Sequence, residues 1–279
     1  MPPSAVDQFA EINGFELRYR LQGDAGQPLA IIGHGLLGSI EQLGDHQSAF
    51  DLLAERIRIL LFDARGHGQS DGPEDPGAYS WETLGEDMIA IATLVGGSRP
   101  IVGGASMSAA SALWVGVERP QVPRALVIMA PPPLGPRSLR GEDERQALQM
   151  LDMLATAVES FGLDETVAMA KTLPGFAPTA DEIESRADWL LSQNPRTAFH
   201  IIRGLFSAPA HEPADYGKIS APTIVFAHEG DPLHPIRSAQ LLAEHVPDCR
   251  LHTGPEPNYW PGHPEEFARE VLAFLEGVS

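Results

Sequence analysis

The stretch GGASMSAA, residues 103–110, places Ser106 between an apolar run and a helix-like segment. A catalytic serine often lies on such a sharp strand-to-helix turn, for which the usual pattern is G-x-S-x-G. Gly104 occupies the first glycine position here, and Ser108 replaces the second glycine. The turn requires small residues at these positions rather than glycine itself, so a nucleophilic serine remains compatible with the pattern. A small-residue turn without chemistry is the alternative that this motif alone leaves open.

A nucleophilic serine also needs a base within hydrogen-bond reach and a third group that orients the base. Asp231 follows the apolar run PTIVFAHEG, at the end of a parallel strand where ligand-facing residues collect. His263 lies in the stretch NYWPGHPEEF, directly before the last helix-like segment. Each residue alone is also compatible with a turn or helix start beside a proline. Their joint occurrence in the order serine, acid, histidine favours a triad of Ser106, Asp231 and His263.

A second motif competes with the triad. GHGLLG, residues 33–38, matches the dinucleotide-binding pattern G-x-G-x-x-G, and Asp63 ends the next apolar run. However, a hairpin precedes the glycine strand, and Asp63 lies beyond the usual spacing of about 20 residues. The following stretch DARGHGQSDG is a glycine-rich loop rather than a helix. We therefore interpret the glycines as a turn and predict no cofactor.

The elements that must position these residues alternate along the chain. FAEINGFELRYRLQG predicts an antiparallel hairpin that turns at Asn13-Gly14. Short apolar runs separated by helix-like stretches follow, which predicts a mostly parallel sheet with helices on both faces. Residues 137–210 have helical periodicity without strand-like runs, so we predict an inserted helical cap. An amphipathic helix closes the chain.

The composition argues against several classes of partner. The 279 residues carry a formal net charge of −19, which disfavours binding to nucleic acid. Cys249 is the single cysteine, so neither an internal disulfide nor a cysteine-based zinc site is expected, and no HExxH motif indicates a metal. There is no signal-like start and no apolar run of about 18 residues or more. We expect a cytoplasmic protein that acts on a small molecule, without nucleic acid or membrane partners; the sequence does not indicate its oligomeric state.

Taken together, the motifs resemble those of the α/β-hydrolase fold family, in particular its cofactor-free serine hydrolases with a helical cap. GHGLLGS is similar to the family's His-Gly oxyanion loop, and FDARGHGQSDGP to its D-x-R-G-x-G-x-S loop. GGASMSAA matches the nucleophile elbow except at Ser108, while EGDPLHP and PGHPEEF match the acid and histidine turns. The similarity covers nearly the whole chain. It implies an eight-stranded, mostly parallel sheet with an N-terminal antiparallel hairpin, helices on both faces and an all-helical cap. The implied core is 1–133 and 217–279, and the implied cap is 134–216.

The resemblance also implies roles for individual residues. Ser106 would attack an acyl carbonyl, His263 would accept the serine proton, and Asp231 would orient His263. The backbone N–H groups of Leu36 and Met107 would form the oxyanion hole. An aspartate nucleophile, as used by epoxide hydrolases and haloalkane dehalogenases of this fold, is excluded because position 106 is serine.

The predicted substrate is a neutral, largely apolar carboxylic ester, lactone or thioester, cleaved through an acyl-enzyme on Ser106. Two alternatives remain open: C–C bond hydrolysis of diketone ring-fission products on the same triad, and a non-enzymic ligand receptor that retains the triad. The residues predicted to line the substrate pocket are His34, Gly35, Met150, Met153, Tyr259 and Trp260.

Overall fold

The structure is a computed structural model that describes residues 6–41, 43, 47–173, 177 and 179–278. Its centre is a sheet in the order β1-β2-β4-β3-β5-β6-β7-β8. The strands are β1 Gln8–Ile12, β2 Phe15–Gln22, β3 Leu29–Gly33, β4 Arg58–Phe62, β5 Ile101–Ala105, β6 Ala125–Met129, β7 Thr223–His228 and β8 Cys249–Gly254. β2 pairs antiparallel with β1 and β4, and the remaining pairs are parallel. The predicted eight-stranded, mostly parallel sheet with an N-terminal hairpin is confirmed.

Helices surround the sheet, as predicted. They are α1 Gln47–Leu53, α2 Trp81–Leu94, α3 Met107–Glu118, α4 Glu142–Phe161, α5 Leu163–Ala170, α6 Ala180–Leu191, α7 Ala198–Ser207, α8 Ile236–His245, α9 Tyr259–Gly262 and α10 Pro264–Leu275. Among the residues described, no helix combines the length and apolar character that crossing a membrane would require.

Both faces of the central strands are buried. Ile31 and Leu60 belong to one cluster of buried apolar side chains, and their neighbours Ile32 and Leu61 belong to another. This alternation follows from the two-residue period of a strand, which directs successive side chains to opposite faces. Helices α2, α3 and α8 contribute to the first cluster, whereas α1 and α10 contribute to the second. The continuous apolar runs of the sequence are therefore explained by a helical layer on each side.

Four helices, α4 to α7, lie between β6 and β7 in the chain. They enclose a third apolar cluster, which includes Val158, Val167, Leu190 and Ile202. Leu37, from the loop that follows β3, belongs to the same cluster. Because β3 is a parallel strand, this contact puts the helical segment against the carboxyl edge of the sheet, where the candidate site lies.

Candidate active site

Ser106 lies at the junction of β5 and α3 with a backbone φ of 52° and ψ of −108°. A non-glycine residue in such a sparsely populated conformation typically costs about 1–3 kcal/mol, so the surrounding structure must hold it. Space around the turn is limited, because a Cβ added to Gly104 would lie 2.4 Å from the Ser108 Cβ and 2.7 Å from the Gly33 carbonyl oxygen. The first glycine of the motif is therefore required sterically, and the turn projects the Ser106 hydroxyl from the end of β5.

Ser108 fits this turn without displacing it. Its side chain is buried, and its hydroxyl donates a 2.6 Å hydrogen bond to the backbone carbonyl of His34. A Cβ on Gly33 would lie 2.3 Å from the Ser108 Oγ, so the absence of a side chain at Gly33 makes room for the hydroxymethyl group. The residue that departs from the G-x-S-x-G pattern thus links α3 to the loop after β3.

The histidine beside Ser106 is His234. Its Nε2 lies 2.8 Å from the Ser106 Oγ, and its Nδ1 lies 2.7 Å from the Asp231 Oδ2. An ionised carboxylate accepts hydrogen bonds only, so Nδ1 carries the proton and Nε2 is left to accept one from the Ser106 hydroxyl. Asp231 is held in place by the backbone N–H of Leu233, which donates to Oδ1 at 2.8 Å. The arrangement is a hydroxyl, an imidazole and a carboxylate in one hydrogen-bonded line.

The structure does not bring His263, the histidine predicted from the sequence, to this line. His263 is exposed at the junction of α9 and α10, and its Nδ1 donates to the Tyr259 carbonyl at 2.8 Å. Its ring stacks on that of Tyr259 with centroids 3.9 Å apart. The hydrogen bond and the stack both hold the imidazole against Tyr259 of α9. The structure therefore places His234, and not the predicted His263, within hydrogen-bond distance of both Ser106 and Asp231.

A second histidine faces Asp231. His228, the last residue of β7, is buried and has its Nε2 3.5 Å from the Asp231 Oδ2. Burial opposes ionisation of Asp231, but the hydrogen bonds from His228 and His234 outweigh it and lower the pKa of this carboxyl far below its usual value. Asp231 is consequently a carboxylate at neutral pH.

A pocket of about 1060 Å³ opens over Ser106 and His234. Its floor includes Gly35, Leu36 and Met107, which are the predicted oxyanion loop and the first residue of α3. Its opposite wall comes from α4 and α7, together with the segment that leaves β6. The pocket is large enough for a small organic substrate.

The comparisons with known proteins agree with this architecture. Residues 21–270 match the model of a family described as "Alpha/beta hydrolase family". The chain belongs to the α/β-hydrolase family. It is 27% identical to the 2-hydroxy-6-oxo-6-(2'-aminophenyl)hexa-2,4-dienoic acid hydrolase of Metapseudomonas resinovorans, covering 97% of this chain and 91% of that protein. It is also 27% identical to 3-oxoadipate enol-lactonase 1 of Acinetobacter baylyi, over 95% of each chain.

Solved structures support the same fold. The crystal structure of a hydrolase from Pseudomonas aeruginosa superposes with a TM-score of 0.77, covering 98% of this chain and 99% of that chain at 24% identity. The enol-lactonase from Burkholderia xenovorans superposes with a TM-score of 0.72, covering 96% and 100% at 18% identity. Since the relatives are hydrolases, this α/β hydrolase is an enzyme rather than a ligand receptor.

Several residues predicted to line the pocket of this α/β hydrolase lie elsewhere. Met150 and Met153 are 67% and 62% exposed, because they face outward on α4. The pocket instead receives Leu148, Leu151 and Asp152, which occupy the opposite face of that helix, together with Gln149 at its side. The prediction selected apolar residues of α4, whereas the direction in which each side chain leaves the helix decides which residues line the pocket.

The two aromatic residues after β8 are also outside the pocket lining. Trp260 is buried in the core and donates from Nε1 to the Ala227 carbonyl at 2.8 Å. Tyr259 stacks on His263, and its hydroxyl donates to Glu266 at 3.0 Å. Trp260 therefore packs under the sheet, and Tyr259 covers the start of α10.

His34 braces the loop after β3 of the α/β hydrolase instead of lining the pocket. Its Nδ1 donates to the Gly35 carbonyl at 2.7 Å, and its Nε2 accepts from the Ala64 N–H at 3.0 Å. Both ring nitrogens are thus used by the neutral form. Complete burial lowers the pKa of His34 to about 4. Beside it, burial also lowers the pKa of His67, to about 3.

Asp63, the residue after β4, also stabilises the loop that follows β3. Its Oδ1 accepts from the Ile40 N–H at 2.7 Å, and its Oδ2 accepts from the Gln69 N–H at 2.9 Å and from Arg18 at 3.2 Å. A residue that resembled a ribose-binding carboxylate in the sequence is therefore buried and hydrogen-bonded to two loops. It connects the chain after β3 to the chain after β4.

The pocket has a charged side that sequence reasoning missed. Arg140, Arg145 and Arg203 line it, together with Asp152. Arg203 forms an ion pair with Asp152, and Arg145 pairs with Glu142 at 2.6 Å. The helical periodicity could have revealed Arg145 and Asp152, because both share a face of α4 with Leu148. The wall combines apolar surface with three guanidinium groups and one carboxylate.

Proposed function

We propose that this α/β hydrolase cleaves carboxylic esters or lactones through an acyl-enzyme on Ser106, with His234 as the general base. Asp231 holds His234 in the tautomer that can accept the serine proton. The observation that carries the proposal is the 2.8 Å contact between the Ser106 Oγ and the His234 Nε2. The strained turn at Ser106 and the pocket directly above the hydroxyl support the same role.

In the first half of the reaction, the Ser106 Oγ attacks the carbonyl carbon while its proton passes to the His234 Nε2. The carbonyl oxygen becomes an oxyanion in the tetrahedral intermediate. The bond to the leaving oxygen then breaks, and His234 gives its proton to that oxygen. Water repeats the sequence on the acyl-enzyme: His234 accepts a water proton, hydroxide attacks, and Ser106 recovers its hydrogen as the acid leaves.

The oxyanion hole that we propose consists of the backbone N–H groups of Leu36 and Met107. Met107 is the first residue of α3, where N–H groups have no intrahelical partner and the helix dipole favours negative charge. The loop carrying Leu36 runs close to the nucleophile, since a Cβ on Gly35 would lie 3.4 Å from the Ser106 Cβ. Both N–H groups belong to residues that line the pocket.

We assign residues 134–216 to a helical cap and residues 1–133 and 217–279 to the hydrolase core. The cap would close the pocket from the side opposite Ser106. Support comes from α4 and α7, which contribute pocket residues such as Leu151 and Leu205. Excluding water from the site would strengthen the hydrogen bonds to a developing oxyanion.

The charged wall favours a substrate that carries a carboxylate beside its apolar part. Arginine binds carboxylates through two parallel hydrogen bonds. Of the pocket arginines, Arg203 is paired with Asp152, and Arg145 forms an exposed pair with Glu142 that a substrate carboxylate could replace. The neutral substrate predicted from the sequence would use none of this positive charge. The two relatives described above are named for a dienoic acid and as a 3-oxoadipate enol-lactonase, which agrees with an acidic substrate.

C–C bond hydrolysis is the second candidate. The relative covering 97% of this chain is named for a 2-hydroxy-6-oxo-dienoic acid, a member of the diketone class considered from the sequence. The same serine and histidine could serve both reactions. A panel of esters, lactones and such ring-fission acids separates the two, and a kcat/KM at least tenfold higher for the ring-fission acids would replace the esterase proposal.

The serine mechanism is tested by Ser106→Ala. This variant is expected to lose turnover of p-nitrophenyl acetate and covalent labelling by a fluorophosphonate, while circular dichroism and the melting temperature remain close to those of the wild type. Labelling that survives the substitution would contradict the assignment of the nucleophile.

A further inference from the structure

Beyond hydrolysis itself, we propose that His228, Asp231 and His234 form a binding site for a zinc-like divalent transition metal, and that metal bound there stops turnover. The binding part of this inference is independent of the catalytic assignment. The inhibitory part rests on the proposed function, because it requires His234 to be the base.

The three side chains offer one ligand atom each, and these atoms lie within 4.8 Å of one another. The Asp231 Oδ2 is 2.7 Å from the His234 Nδ1 and 3.5 Å from the His228 Nε2. Around tetrahedral zinc, with bonds of about 2.0–2.1 Å, neighbouring ligand atoms are about 3.3 Å apart. The observed separations bracket that value, so small side-chain rotations would complete three corners of a tetrahedron.

The chemistry of the donors matches a zinc-like ion. Two imidazoles and one carboxylate are borderline ligands of the type that zinc accepts, whereas magnesium and calcium prefer oxygen alone. The carboxylate needs no deprotonation, because the pKa of Asp231 is already far below its usual value. Three protein ligands leave the fourth position for water.

The site is anchored and reachable. His228 is the final residue of β7 and is buried, so one ligand is fixed by the sheet. The side chains of Asp231 and His234 retain 25% and 21% exposure, which gives an ion a path to the cluster. His234 is also a pocket residue, so the metal would lie on the far side of its ring from Ser106.

Metal at the Nδ1 of His234 would reverse the tautomer that hydrolysis requires. Nδ1 must give up its proton to use its lone pair for the metal. A neutral imidazole keeps one proton, which is then carried by Nε2 after exchange through solvent. The Nε2–H would face the Ser106 hydroxyl as a donor, and it could not accept the serine proton. Inhibition therefore requires only that the hydrogen bond between His234 and Ser106 reverse its direction.

The test titrates metal-free wild type with ZnCl₂ and CoCl₂. We expect one equivalent to bind by calorimetry, visible absorption bands typical of tetrahedral Co²⁺, and loss of p-nitrophenyl acetate turnover over the same concentration range. EDTA should restore the turnover. His228→Gln, which removes one ligand and retains a hydrogen-bond donor toward Asp231, should bind Zn²⁺ at least about 10-fold more weakly and shift the inhibition by the same factor.

Two further variants keep the two proposals separable. Ser106→Ala has no nucleophile, yet it should bind Zn²⁺ and Co²⁺ as the wild type does, so binding can be measured whether or not the enzyme cleaves esters. His263→Gln should retain wild-type binding, which tests for capture of metal by a surface histidine. Absence of stoichiometric binding in both wild type and Ser106→Ala would overturn the metal site, as would inhibition that is unchanged in His228→Gln.

Discussion

The hydroxyl of Ser108 and the backbone carbonyl of His34 are joined by a buried 2.6 Å hydrogen bond. Ser108 lies in the first turn of α3, and His34 lies in the loop that follows β3. The two proposed oxyanion donors, Met107 and Leu36, each lie within two residues of one end of this bond. Ser108 therefore ties together the two segments whose spacing sets the proposed oxyanion hole.

Ser108→Ala should consequently reduce both stability and activity. The His34 carbonyl loses a buried donor, which typically costs about 1–3 kcal/mol of unfolding free energy. Looser spacing of the donors should lower kcat about tenfold, less than the roughly 10²–10³-fold expected for complete loss of a donor. Urea unfolding and ester kinetics measure the two effects.

The matched control is Ser111→Ala. Ser111 is equally buried on α3, but its hydroxyl donates to the Met107 carbonyl of the same helix. This variant should keep kcat close to that of the wild type. Equal kcat values for Ser108→Ala and Ser111→Ala would show that the bond to His34 does not position the oxyanion hole.

His234→Ala and His263→Ala distinguish the two histidines considered for the base. Removal of His234 should lower kcat for p-nitrophenyl acetate by at least about 10³-fold, because the serine proton then has no acceptor. Removal of His263 should leave kcat within about twofold, since this ring packs on Tyr259 at the surface. The reverse ranking would restore His263 as the base.

The buried histidines should make the enzyme sensitive to mild acid. Burial lowers the pKa of His34 from its usual 6.5 to about 4 and that of His67 from 6.5 to about 3. Below about pH 6.5 the unfolded chain binds protons that the folded protein does not, so stability falls as the pH falls. Each group contributes up to about 1.4 kcal/mol per pH unit until the pH reaches its folded pKa.

Chemical unfolding at pH 7.0, 6.0 and 5.0 measures this slope. His67→Phe removes one of the two groups while keeping a ring, so its slope below pH 6.5 should be smaller by about 1.4 kcal/mol per pH unit. Carboxyl groups with lowered pKa values, such as Glu41, are present in both proteins, so the difference between the two slopes reports His67. Equal slopes of unfolding free energy against pH in the wild type and in His67→Phe would contradict the lowered pKa of His67.

The arginines that line the pocket, Arg140, Arg145 and Arg203, should discriminate between acidic and neutral esters. Arg145→Gln is expected to raise KM for p-nitrophenyl hemisuccinate at least about fivefold, the weakening typical of a lost charged hydrogen bond, while the KM for p-nitrophenyl acetate changes little. Arg237→Gln is a suitable control, because Arg237 bonds to the Leu139 carbonyl and is not among the residues that line the pocket. If the ratio of the KM for the hemisuccinate to the KM for the acetate is the same in both variants, Arg145 does not take part in substrate recognition.

Much of the fold could be predicted because its determinants are local. Apolar runs bounded by glycine and proline predicted the strands, and Asn13-Gly14 predicted the hairpin, which pairs Ile12 with Phe15. Ser106 and Asp231 were found because each follows the end of a parallel strand, a position that chain order already defines.

The proposed base, His234, could not be identified in the same way. Two histidines follow Asp231 in suitable loops, and the order of residues is the same for both. The choice depends on where each ring points, which is decided by the stack of His263 on Tyr259 and by the hydrogen bonds of His234. The sequence did contain one signal for His234: it is the third residue after Asp231, and a short turn can bring side chains at this spacing together.

The acid and the proposed base thus share one turn between β7 and α8. A single short coding segment carries both partners of the nucleophile, so they would be inherited, lost or transplanted as one unit. In this proposal the chain after Pro235 contributes no residue to proton transfer and supports the fold. Recombination after Pro235 would exchange the last strand and its flanking helices and leave the proton-transfer residues unchanged. The turn that holds Asp231 and His234 could likewise be grafted as one short segment onto other sheets of this kind.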